Sequence, residues 1–207
     1  MTVIDSKLDI NTQGTAAKII SSDVRHKRFL TIWNRTTKFP DGRTFDWDVV
    51  GHNTPNPAFV CVFAFDSLNK TTTLIKEYCQ GTNEIKYTCA CGGYDRKKHA
   101  SVDVAAKDEL SEEAYLKGGR WINLLPQDQP EGVSEVKWGR NRFVPYLVID
   151  AEKDANPKPR DAEEYMEVVY DIPIDRLRQF IVEGKVMLPS VQTAWMALDR
   201  LQKEGLL

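Results

Sequence analysis

Apolar and polar residues alternate from Arg28 to Lys38 and again from Thr44 to Val50, with the turn signal Pro40-Asp41-Gly42 between them. Two strands joined as one hairpin are predicted, preceded by a polar stretch that predicts no element. The segment His52-Asn53-Thr54-Pro55-Asn56-Pro57 interrupts regular structure and reads as a hinge. It separates an N-terminal β lobe, 1–55, from a larger domain, 56–207. Beyond the hinge, the continuous apolar run Phe59 to Phe65 has strand length, and Thr71 to Tyr78 is a β-rich partner across Asp66 to Lys70. Arg142 to Asp150 and Tyr165 to Ile172 read as further strands, with Asn156 to Asp161 as loop between them. Two helices close the chain. One runs from about Asp175 to Glu183 with Leu177, Phe180 and Ile181 inward and Gly184 as its stop; the other follows Pro189-Ser190 with Val191, Trp195, Leu198 and Leu201 inward. Hairpin, mixed strands, helix, strands, helix, helix is not a βαβ alternation. The order predicts an α+β fold, a mixed sheet layer covered by helices with a small antiparallel β lobe at the N-terminus.

The first helix of that order is the unusual one. Ala105-Ala106 leads into Asp108-Glu109-Leu110-Ser111-Glu112-Glu113, and helical spacing puts Glu109, Glu112 and Glu113 on one side. Val102, Ala106, Leu110 and Ala114 form an apolar row that can press on a core. Like charges three and four residues apart repel, so a positive partner is expected over them. A divalent metal ion is the first candidate, and a solvated acidic face is the plain alternative.

Composition narrows the field. The chain has 207 residues, 42% of them hydrophobic, with 28 basic against 30 acidic residues and a net charge of −2. One sizeable core is expected, and no general attraction to nucleic acid or to a membrane surface. No apolar run approaches the roughly 18 residues of a bilayer span and no signal peptide is legible, so a cytoplasmic location is the expectation. The four cysteines, Cys61, Cys79, Cys89 and Cys91, read as reduced thiols and not as a disulfide framework. Neither a Gly-x-Gly-x-x-Gly after a strand nor a Gly-Lys-Ser/Thr phosphate loop is present.

The stretch Ala105 to Leu116 resembles the second half of the Nudix box, whose form is Gly, five residues, Glu, seven residues, Arg-Glu-apolar-any-Glu-Glu-any-Gly-apolar. Its three metal-binding glutamates fall on Glu109, Glu112 and Glu113. Other slots depart: the Arg slot is Asp108, the second Gly slot is Tyr115, and counting back puts Ala100 at the first Glu and Tyr94 at the first Gly. Gly92 and Gly93 lie just before that last position. Asp41-Gly42 leading to Trp47-Asp48, the strands 59–65 and 74–78, the segment 163–169 and Glu183-Gly184-Lys185-Val186 resemble ADP-ribose and ADP-sugar pyrophosphatases.

That resemblance implies Mg²⁺ or Mn²⁺ on Glu109, Glu112 and Glu113, hydrolysis of a nucleotide-sugar to AMP and a sugar phosphate, and a homodimer formed through the N-terminal lobe. It implies Phe29 and Trp47 around the adenine, although both also read as core residues of the hairpin. Glu163 or Glu164 falls where a loop supplies a catalytic glutamate. Cys79 and His52 stand where the relatives carry arginines. Arg96, Lys97 and Lys98, or Arg140 and Arg142, are the candidate cations for the diphosphate. Two alternatives stay open: a Nudix-fold protein that binds a nucleotide without turnover, in keeping with Asp108 repelling the glutamates that an Arg would orient, and an enzyme for a different diphosphate.

Overall fold

The computed structural model describes residues 17–54, 58–126, 131–160 and 164–207. They form two compact units, one made of residues up to 53 with 138–140, the other of 54–137 with 141–207.

The first unit is an antiparallel meander of β1 (Lys18–Lys27), β2 (Thr31–Lys38) and β3 (Thr44–Gly51). The last two are the predicted hairpin, in register from Thr31 opposite Gly51 to Lys38 opposite Thr44. The first is a strand where the sequence predicted none. Nearly every side chain of β1 is exposed, so burial imposes no alternation on its sequence; its ladder to β2 holds it instead. Trp33 and Val49, directly opposite each other on β2 and β3, are buried, and the Arg140 guanidinium lies 4.8 Å from the centre of the Trp33 ring. Backbone bonds from Val50 N to Trp138 O and from Arg140 N to Val50 O, at 3.0 and 2.9 Å, stitch residues 138–140 to β3.

The second unit holds β4 (Ala58–Asp66), β5 (Thr71–Cys79), β6 (Glu84–Thr88), β7 (Ala90–Gly93), α1 (Val102–Ala114), β8 (Leu116–Lys117) and β9 (Arg120–Asn123). After these come β10 (Val133–Ser134), β11 (Arg142–Ile149), β12 (Glu152–Lys153), β13 (Met166–Pro173), α2 (Ile174–Val182) and α3 (Leu188–Lys203). The sheet is mixed: β4 runs parallel to β11 along its whole length and antiparallel to β5 and β7. On that second side β4 pairs with β5 only over Ala64–Asp66 and with β7 over Phe59–Val62, so the sheet forks between β5 and β7. The outer edge of β7 is thereby left for side chains to cap.

Alternation along the strands sends one set of residues to each face. Val60, Val62, Ile75, Ala90, Val144 and Val148 pack with Ala105, Ala106, Leu110 and Ala114 of α1. Cys61, Phe63, Leu74, Phe143 and Leu147 pack on the other side with Leu177 and Phe180 of α2 and Ala194, Leu198 and Leu201 of α3. This is the expected α+β layering. Trp195 differs from expectation: it is half exposed, because the closely packed face of α3 is made by Ala194 and Ala197, whose small side chains let the helix approach the sheet. All four cysteines are free, with Cys91 on β7 and Cys89 just before it.

Candidate active site

Ser101 caps α1, its hydroxyl accepting from Val104 N at 3.3 Å, and the helix then runs with Ala106, Leu110 and Ala114 against the sheet. This turns the neighbouring row of glutamates toward the fork. Glu113 is the deepest of them, only 4% exposed, and its Oε2 accepts the outward N–H of Cys91 on β7 at 2.7 Å. Glu109 lies against Gly92, the next residue of that strand: a Cβ built on Gly92 would be 1.9 Å from Glu109 Cδ. Gly92 does not have a positive φ, so what this position requires is space and not backbone freedom. Glu112 is half-buried on the same side of the helix.

Burial is the largest cause holding the Glu113 carboxyl well above its usual range, aided by the Cys91 thiol, Glu109 and Glu77 and opposed by the Cys91 N–H. Glu77, on β5, is itself pushed up, first by burial and then by the charge of Glu164. The charges of Glu109 and Glu77 thus both act on Glu113, and that of Glu164 acts on Glu77. Sequence reasoning missed Glu77. The available signal was strand alternation, which puts Glu77 on the same face as Ile75 and hence on the side of α1.

The drifted positions of the motif have physical counterparts. Gly92, two residues before the counted slot at Tyr94, is the glycine beside Glu109, so the connection between β7 and α1 carries the extra length. Asp108 turns away from the glutamates: its carboxylate is held by Lys158 Nζ at 2.7 Å, with His99 Nε2 at 3.8 Å. Tyr115 adopts the left-handed conformation that glycine usually supplies after a helix, with φ 55° and its N–H bonded to Leu110 O. Arg160, read in the sequence only as loop, lies on the end of the helix. Its Nε donates to Glu112 O at 3.1 Å, Nη2 to Glu113 O at 2.6 Å and Nη1 to Met166 O at 3.3 Å, while its guanidinium lies 4.4 Å from the centre of the Tyr115 ring.

Glu164 leads into β13, two residues before Met166, the residue opposite Glu77. Glu163 lies outside the described residues. Arg96 and Lys97 are exposed on the turn between β7 and α1, where Asp95 accepts from Lys97 N at 2.8 Å. Phe29 and Trp47 belong to the first unit and are 78% and 43% exposed, which rules out the core reading for both. Phe29 has an edge-on ring contact with His52, and Trp47 Nε1 donates to Thr37 Oγ1 at 2.9 Å. Arg140 is committed to Trp33, and Arg142 donates to Gly132 O at 3.0 Å.

Chemically, the side chains carried by α1, β5 and the residues leading into β13 present hard carboxylate oxygens, the type that Mg²⁺ or Mn²⁺ prefers. The cradle at Gly92 and the buried carboxyl of Glu113 fit such an ion. Among the described residues no three His, Cys, Asp or Glu side chains already stand in ligating geometry around one point, so binding would draw Glu109 and Glu112 inward through their side-chain torsions. A cavity of about 330 Å³ lined by Lys76, Lys86, Tyr87, Arg176, Phe180 and Lys185 is separate, on the α2 face of the sheet.

The sequence matches no family profile and no curated protein. In three dimensions the chain is similar to a solved structure described as an ADP compounds hydrolase, with a TM-score of 0.72 and 17% identity over 92% of this chain and 97% of that one. At that identity the likeness establishes the fold. Among the described residues no helix is long and apolar enough to cross a membrane.

Proposed function

We propose that this protein is a Mg²⁺- or Mn²⁺-dependent hydrolase of the Nudix type, cleaving a nucleoside diphosphate linked to a sugar, such as ADP-ribose or an ADP-sugar. The observation that carries the reading is the packing of Glu109 on Gly92 beside the buried Glu113. A protein gains nothing in stability from a carboxylate held in an apolar site next to two others, so the arrangement calls for a cation. The likeness in fold to an ADP compounds hydrolase supports the same substrate class.

Glu109, Glu112 and Glu113 would hold the ion, which when bound offsets the diphosphate charge and acidifies a water. Glu164, whose charge acts on Glu77, is the candidate to take the proton from the attacking water. Glu77, its carboxyl pushed up by burial and by the charge of Glu164, is the neighbouring acid group on β5. Arg96 and Lys97 supply cations near β7 for the diphosphate, and the exposed rings of Phe29 and Trp47 are the candidates to hold the base. The exposed apolar side chains Ile19, Ile20, Val24, Ile32 and Phe45 of the first unit support self-association into a homodimer.

Incubation with Mg²⁺ or Mn²⁺ and a panel of ADP-ribose, ADP-glucose, UDP-glucose, NADH, CoA and diadenosine polyphosphates tests this. AMP with ribose or sugar phosphate as products is expected; no cleavage of any member refutes it. One observation favours a second reading, a nucleotide binder without turnover: no three carboxylates are pre-arranged around a point among the described residues. In that case ADP-ribose binds in calorimetry and is recovered intact.

A further inference from the structure

We propose that Arg160 is a positioning residue that fixes the carboxylates of α1 relative to Glu164, a role that rests on the hydrolase reading above. The end of a helix leaves its last carbonyls without partners and carries the negative end of the helix dipole. In α1 the C-terminal half carries Glu109, Glu112 and Glu113, and the last turn contains no basic residue. Arg160 supplies the missing cation from outside the helix, donating to the carbonyls of both Glu112 and Glu113.

The third bond gives the residue more than a capping role. Nη1 donates to Met166 O, on the strand whose preceding residues include Glu164 and whose Met166 faces Glu77. One rigid guanidinium therefore ties the backbone of two proposed metal ligands to the backbone that carries the proposed base. Lysine, a single point donor, cannot span those three carbonyls at once.

The delivery of Arg160 is equally specific. Asp154 N donates to Tyr115 O at 2.8 Å, Ser111 Oγ donates to Asp154 Oδ2 at 2.8 Å, and Lys158 N donates to Ser111 Oγ at 3.2 Å. With Lys158 Nζ on Asp108, the segment 154–160 is fastened to α1 at three levels before Arg160 reaches the helix end. Two of the four departures from the motif then acquire a purpose. Asp108, in the slot of the usual arginine, anchors this strap, and Tyr115, in the slot of the usual glycine, provides the ring on which the guanidinium rests. An arginine from the strap takes over the ordering that an arginine within the helix would otherwise perform.

The test compares wild type, Arg160→Ala and Arg160→Lys by steady-state kinetics on the best substrate of the panel and by Mn²⁺ binding in electron paramagnetic resonance. A positioning residue acts in the transition state, so kcat falls by about 10- to 100-fold in both variants while KM stays within about twofold. Guanidinium ion added to Arg160→Ala restores part of kcat and adds nothing to Glu112→Gln. Mn²⁺ affinity falls about tenfold in Arg160→Ala. A kcat within about twofold of wild type at a temperature where Arg160→Ala is folded, or a raised KM with kcat unchanged, overturns the proposal. If wild type shows no turnover, the hydrolase reading fails, and the Mn²⁺ measurement still decides: equal affinity in wild type and Arg160→Ala, or no Mn²⁺ binding by either, overturns the role of Arg160.

Discussion

Gly92 and Glu109 are in contact so close that no side chain fits between them: a Cβ on Gly92 would fall 1.9 Å from both Cδ and Oε1 of Glu109. The clashing atoms are the far end of a flexible side chain, so Gly92→Ala is expected to fold while driving Glu109 out of the fork. Mn²⁺ affinity should fall about tenfold, equivalent to about 1.4 kcal/mol. Gly93 has nothing within 4 Å of its would-be Cβ, and Gly93→Ala serves as the matched control with affinity unchanged. Equal affinities for the two variants would show that Glu109 is not a ligand.

Glu113 predicts an unusual pH dependence. Its folded-state pKa is raised by burial, so its contribution to stability is fully present below the unfolded carboxylate value of about 4.3 and is lost as pH rises through the folded value. Glu77 contributes with the same sign. Metal-free protein should therefore lose stability on going from pH 5 toward pH 8, by up to about 1.4 kcal/mol per pH unit for each proton released. Glu204 has the opposite sign. Arg120 and Arg200 pull it down to about 2, and its contribution is lost only as pH falls toward that value. Thermal melts of Glu113→Gln should have a flatter slope between pH 5 and 8, since glutamine still accepts from Cys91 N. Added Mn²⁺ should raise the Tm of wild type more at pH 8 than at pH 5, because the ion competes with the protons.

Tyr115 separates backbone strain from ring contact. A non-glycine residue in the left-handed region costs about 1 kcal/mol, and a cation resting on an aromatic ring returns about 0.5–1 kcal/mol. Tyr115→Gly loses the ring and gains the relaxed backbone, so its stability should stay within about 0.5 kcal/mol of wild type. Tyr115→Ala keeps the strain and loses the ring. Chemical denaturation should find it about 1 kcal/mol less stable than Tyr115→Gly.

Glu77→Gln addresses the residue that the motif does not contain. Removing this charge should leave the melting temperature at pH 7 unchanged or higher, because a carboxylate raised by burial is a cost once ionised. If Glu77 works with Glu164, the pH–rate profile should shift on the limb that reports the base. An unchanged profile would confine Glu77 to the structure.

The legible parts of the fold were those written in buried alternation or apolar runs: the strand 59–65, the strand at Arg142, and the helix faces of Leu177 and Leu201. β1 was illegible because an exposed edge strand held by its ladder imposes no pattern on its side chains. Trp195 was misread because a large apolar residue at helical spacing looks like core, whereas Ala194 and Ala197 make the contact. In the candidate site the glutamates of α1 were readable from local spacing alone. Glu77 and Arg160 were not, since each reaches the site through tertiary pairing. The register of β5 with β13 brings in Glu77, and a strap that returns to the end of α1 brings Arg160 to Glu113, 47 residues earlier in the chain.

The most direct measurement is the rate of AMP release from ADP-ribose as a function of Mg²⁺, for wild type and for Glu112→Gln. The account predicts a saturable Mg²⁺ dependence in wild type and a kcat at least about 100-fold lower in Glu112→Gln with the thermal melt preserved. Equal, Mg²⁺-independent rates for the two proteins, or no AMP from either, would contradict it.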